Sequence, residues 1–182
     1  MNSQIGIANG MDFIVQCETF ESKTNQIIIT GTEKDSIENI KNETLIIKTF
    51  LSNHKNICDL SIHFHFQSTN NIKYYNYGFP MLIALASNIT KTSISDELFF
   101  IGCLDLKGNL NFNHKIDKSH LKSISSKNTK IYLPILDSEH FDNATNLVFV
   151  NDVNHIVDYL FKNQNASCFG NDSWSEVCKS FL

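Results

Sequence analysis

Two histidines, His63 and His65, stand two residues apart in a segment that alternates apolar and polar side chains. Alternation is the mark of a half-buried strand, so both imidazoles point from one face. Two imidazoles can start a metal site, but a zinc site takes three or four ligands and no spacing in the chain designates the others. The pair is therefore read as part of a polar sheet face, and neither a metal site nor a cofactor is expected. A second possible constellation joins Cys103 to one of the seven histidines as thiol nucleophile and base. Cys103 ends the continuous apolar run Leu98 to Cys103, which reads as a strand buried on both faces, where a thiol is inert. A third, Lys73, Tyr74, Tyr75 and Tyr77, is the kind of basic and aromatic cluster that stacks on single-stranded bases. With one Lys and an acidic chain around it, a packed loop is expected instead. No Gly-rich turn ends in Gly-Lys-Ser/Thr, so ATP hydrolysis by this chain is not expected.

The elements that must position these residues start from 77–89, Tyr77-Gly78-Phe79-Pro80 followed by an unbroken apolar run from Met81 to Ala86. It reads as a helix with no polar stripe, hence one packed between a sheet and other helices. Pro80 falls in its first turn, where a missing N–H has no intrahelical partner to lose. Before it come strands at 4–8 and 13–20 around an Asn9-Gly10 turn with positive φ, a strand at 26–30 ended by Gly31, and an amphipathic helix from Asp35 to near Asn53. That helix carries Ile37, Ile40, Thr44, Ile47 and Leu51 on one face, and Asp35 with Glu38 forms a capping box. The histidine strand runs from Asp59 to Gln67, with Leu60, Ile62, Phe64 and Phe66 toward the core and Ser61, His63, His65 and Gln67 away from it. After the central helix come the apolar strand 98–103, a hairpin turn at Lys107-Gly108-Asn109, and a helix near 115–125. Strands at 130–134 and 146–150 then lead to a final helix capped by Asp152. Strands alternating with helices make the fold α+β, with α/β-like character: a mixed sheet with packed helices.

Composition bounds the rest. With 182 residues, 42% hydrophobic and 19% charged, one domain with a sizeable core is expected over 1–162, followed by a linker and short amphipathic helix over 163–182. The formal net charge is −4, and all 15 basic residues are Lys. Without Arg there is no bidentate fork for phosphate or guanine, so nucleic-acid binding is expected to be absent or weak. No apolar run reaches membrane-spanning length, and the five cysteines form no C-x-x-C pair and mostly lie in apolar segments, as reduced thiols do. A cytoplasmic location without membrane contact follows. In the tail, Trp174, Val177, Phe181 and Leu182 form an apolar stripe on a helix too short to stand alone. They are the candidate contact residues for a protein partner or for self-association.

The order of segments resembles the Lon-protease-like domain, in particular the N-terminal domain of the magnesium-chelatase-like, competence-associated AAA+ ATPases. Four stretches carry the resemblance: Gly6-Ile7; Thr30-Gly31 before a helix; Lys73 to Ala86 with Gly78-Phe79-Pro80-Met81; and Phe100 to Leu110 with its Gly102 and Gly108. Ile131 to Pro134 and Val148 to Phe161 match the family's closing strands and helix, so that 4–162 is covered. Gly78 stands where the family stretch has Asp, and the loop before Pro80 is one residue shorter. The resemblance implies a Ser nucleophile at the position of Pro80 and a Lys base at the position of Asp117. Neither residue can serve, because proline offers no nucleophile and a carboxylate no amine. The expectation is a domain with no catalytic residues, a binding or assembly module accessory to an ATPase ring. Two other readings are a divergent hydrolase built on His63, His65 or Cys103, and a DNA-associated accessory domain.

Overall fold

The computed structural model describes residues 5–21, 24–53, 57, 59–68, 76–112, 121, 129–135 and 146–162, and side chains up to 158. Strands β1 (Gly6–Asn9), β2 (Phe13–Glu21) and β3 (Ile27–Thr30) precede helix α1 (Lys34–Ser52) and strand β4 (Leu60–Ser68). Helix α2 (Gly78–Thr90) is followed by β5 (Leu98–Phe100), the short strands β6 (Cys103–Leu104) and β7 (Leu110–Asn111), β8 (Lys130–Pro134), β9 (Leu147–Val150) and helix α3 (Asn154–Lys162). Seven strands form one mixed sheet in the order β3-β4-β2-β1-β5-β8-β9, while β6 and β7 pair apart from it. The class is α+β, as the alternation of periods predicted.

Helix α2 is the centre of the packing. From Gly78 to Asn88 every side chain is buried, and the helix lies over β1 and β2 with α1 and α3 beside it. An all-apolar helix has no face to offer to water, so it is stable only when covered on each side. Its first turn is held by Phe79 N–H, which donates to the Gly102 carbonyl over 2.8 Å, and its C-terminus by Lys91 in the left-handed region at φ 58°. Pro80 sits in that first turn, as expected. Aromatic rings fill the layer below: Phe13, Phe66 and Tyr77 meet with centroids 5.6 to 5.8 Å apart, and Phe100 stacks on Tyr132 at 5.4 Å. Burying rings of this size supplies much of a core's stabilisation. Tyr77 thus belongs to the core and not to a base-stacking loop; Lys73, Tyr74 and Tyr75 lie outside the described residues.

Several local expectations are corrected. The Asn9-Gly10 connection extends over 10–12 with neither residue at positive φ, and Gly10 is small because the Phe13 ring packs against its backbone. Helix α1 begins at Lys34 with Glu33 as N-cap and no side-chain cap, so the Asp35–Glu38 capping box does not form. Asp35 is already inside the first turn, where a carboxylate still favours the helix dipole. Ser61 is fully buried and not on a wet face, because its hydroxyl accepts the Gln26 N–H over 2.8 Å. The apolar run 98–103 is not one strand. Gly102 at φ 141° turns the chain out of the main sheet, and Cys103-Leu104 pair with Leu110-Asn111 instead. The Lys107-Gly108-Asn109 turn and the Asp152 contact at α3 stand as read: Asp105 Oδ1 accepts the Lys107 and Asn109 amides, and Asp152 Oδ1 accepts the Asn154 amide over 2.7 Å. At Asp105, slight burial pushes the carboxyl upward, but the Asn109 side chain and the turn amides outweigh it and hold the group below its ordinary value. The 115–125 helix, except Leu121, lies outside the described residues.

Both faces of the sheet are used, unequally. Val15, Cys17, Ile62, Phe64 and Phe66 face the helices. On the opposite face a smaller cluster of Met11, Ile101, Leu121, Ile131 and Leu133 covers the β5–β8 half. Ile7, Ile14 and Ile28, on the β1-β2-β4-β3 half of that face, are exposed, and so is Phe20.

Candidate functional site

Two groups of polar side chains carry chemical potential, one on each side of the sheet. The first lies under the N-terminus of α2. Glu43 falls on the buried stripe of α1 with Ser36, Ile40, Thr44, Ile47, Phe50 and Leu51, and its Oε1 accepts the Leu104 N–H over 3.0 Å. Burial pushes the Glu43 carboxyl up, while the Leu104 amide and the Cys103 thiol pull less strongly the other way. Gly78 is required here: a Cβ at that position would land on Glu43 Oε1 and 3.1 Å from Cys103 Cα. The carboxyl therefore fills the volume that a side chain at 78 would occupy. Asn76 Oδ1 lies 3.9 Å from Cys103 Sγ, which completes a buried cluster of carboxyl, thiol and amide.

The second group lies on the open face. His63 Nε2 and His65 Nδ1 are each 2.9 Å from Thr30 Oγ1, and His63 Nδ1 is 4.0 Å from Glu18 Oε2. Register explains the convergence, since Thr30 on β3 is the parallel partner of His65 on β4, and Glu18 on β2 is the antiparallel partner of His63. Alternation on β4 puts these rings on the side of the sheet opposite Phe64 and Phe66.

Sequence-predicted residues therefore part company. Cys103 is buried beside Glu43 and Asn76, and the sheet stands between it and His63 and His65. A dyad of Cys103 with either of these histidines does not form, because strand alternation sends the two groups to opposite faces. Cys17, the other free thiol among the described residues, is fully buried; burial and the Glu18 carboxylate push its pKa well up against a smaller opposing effect of Lys91, leaving a thiol with no thiolate character. Pro80 is buried in the α2 first turn. Asp117 and the tail residues Trp174, Val177, Phe181 and Leu182 lie outside the described residues. Glu43 and Thr30 were missed in the sequence. A glutamate inside the apolar stripe of an amphipathic helix was the available signal for the first; nothing in the local pattern marks the second. Among the described residues no three His, Cys, Asp or Glu side chains form a metal cluster, and no helix is long and apolar enough to cross a membrane.

The fold and the two clusters define a single α+β domain of mixed-sheet type. No family model and no curated protein matches the chain.

Proposed function

We propose that this chain is a Lon-protease-like domain without peptidase chemistry, a cytoplasmic binding or assembly module that works beside an AAA+ ATPase. The observation that supports the reading is the α2 first turn: the nucleophile position carries a buried proline ring, and the neighbouring polar groups are engaged with one another and with backbone. Glu43 adds to this, since its carboxyl occupies the space of the side chain that the family stretch carries at 78. A domain that keeps the core and the polar junction but offers no nucleophile acts through its surface.

The test is a serine-reactive phosphonate probe on the purified protein together with a casein degradation assay. The expected result is no labelling and no cleavage; stoichiometric labelling of one residue overturns the proposal. The contact residues in this reading are Trp174, Val177, Phe181 and Leu182. Deleting Ser173 to Leu182 is expected to lower the mass seen by light scattering, or to abolish capture of the ATPase partner, while circular dichroism stays unchanged. A truncated protein that keeps both mass and partner removes the tail from the proposal.

A further inference from the structure

Two imidazole nitrogens that converge on one oxygen form a preorganised pair of donors. At His63 and His65 the backbone enforces the convergence: the rings project from alternate positions of β4 onto the hydroxyl of Thr30 across a parallel strand pair, each at 2.9 Å. Beside the second ring, Gly31 at φ +76° has no room for a side chain: a Cβ there would land on the Phe66 carbonyl oxygen and stand 3.0 Å from His65 Cε1. The Thr30 hydroxyl bridges the pair, donating its one proton to one ring nitrogen and accepting from an N–H of the other. A cation can accept both lone pairs at once.

On the outer side of His63, the Glu18 carboxylate stands 4.0 Å from Nδ1. A carboxylate on this side of the ring favours the tautomer with its proton on Nδ1, which leaves Nε2 bare, as carboxylates do behind metal-binding histidines generally. The geometry points to a binding site for a divalent late first-row metal ion, with His63 Nε2 and His65 Nδ1 as ligands, Glu18 orienting the His63 ring, and water completing the coordination. The Thr30 hydroxyl gives up its contacts with the rings when the ion binds. Because the described residues supply no third His, Cys, Asp or Glu ligand, the site is an open chelate that binds reversibly, in contrast to a closed structural zinc centre. Imidazole donors select Zn²⁺, Ni²⁺ and Cu²⁺, with Cu²⁺ tightest, over Mg²⁺ and Ca²⁺, which require oxygen ligands. This site is independent of the proposed assembly role and stands on the opposite side of the sheet from Pro80.

The test is titration calorimetry of the full chain with Ni²⁺, Zn²⁺ and Mg²⁺, chosen because Ni²⁺ and Zn²⁺ do not oxidise thiols. The expected result is one equivalent of Ni²⁺ or Zn²⁺ whose binding is removed by His63→Ala and by His65→Ala, with no heat from Mg²⁺. Glu18→Gln weakens the same binding about 10-fold, as loss of a partner behind a ligand does. His155→Ala, on α3, leaves it unchanged. Circular dichroism of each variant establishes that it is folded, and these half-exposed side chains carry no core packing. Absence of binding by the wild type, or binding that survives both histidine substitutions, overturns the proposal. Unchanged affinity in Glu18→Gln overturns the orienting role of that carboxylate.

Discussion

Replacing Gly6 by alanine is expected to lower unfolding stability by about 3 kcal/mol, the upper part of the usual range for overpacking a tight site. Strand β1 runs directly beneath α2, and a Cβ at Gly6 would collide with the Ala84 carbonyl oxygen and stand 2.7 Å from the Asn88 amide nitrogen. Both are backbone atoms of a helix buried on all sides, so neither can swing away as a flexible side chain would. The helix must lift from the sheet. Lifting it loosens Leu82, Ala86 and the rings below, all of which depend on that spacing. Urea unfolding of Gly6→Ala beside Ile7→Ala measures the effect. Ile7 is on the open face and 44% exposed, and its truncation is expected to cost well under half as much. A Gly6→Ala protein within about 0.5 kcal/mol of wild type, the usual scatter of neutral surface changes, would show that α2 does not rest on β1 this closely.

Glu43 carries the other large effect. Glu43→Ala removes the acceptor of the buried Leu104 amide and leaves a void beside Gly78, an expected loss of about 2–3 kcal/mol at acid pH, where the wild-type carboxyl is neutral. The pH dependence has a definite sign. Burial raises the folded-state pKa of Glu43 above its unfolded value, so the native state binds the proton more tightly than the unfolded chain does. The stability contributed by this group is fully present below the unfolded pKa, and is lost as pH rises through the folded pKa. Glu43→Gln keeps an oxygen acceptor for Leu104 and cannot ionise. The difference in unfolding free energy between wild type and Glu43→Gln, followed by urea titration from pH 4 upward, should therefore move in favour of the Gln variant and then level off. A difference that stays flat with pH would mean that Glu43 is solvated in the folded protein.

Much of the fold was legible because its signals are local. The unbroken apolar run from Met81 to Ala86 demanded a covered helix, and Pro80 marked its first turn. Alternation from Leu60 to Gln67 placed Ile62, Phe64 and Phe66 inward and both histidines outward, and Gly108 supplied the positive φ of the β6–β7 turn. Periods of 3.6 and 2.0 are properties of a segment alone, so sequence determines them. What the tertiary structure decided is which segments meet. Gly102 reads as one more small residue in an apolar strand, yet its φ of 141° takes Cys103 out of the main sheet and brings it to Glu43, 60 residues earlier in the chain. Thr30 meets His63 and His65 only because β3 pairs in parallel with β4 in one register; a shift of one residue would send its hydroxyl to the helix side. Strand order and register are settled by the summed packing of the whole chain, which no window of sequence contains. The sequence therefore determined the type of most elements, with the break at Gly102 the exception, and the assembled sheet alone decided which side chains could act together.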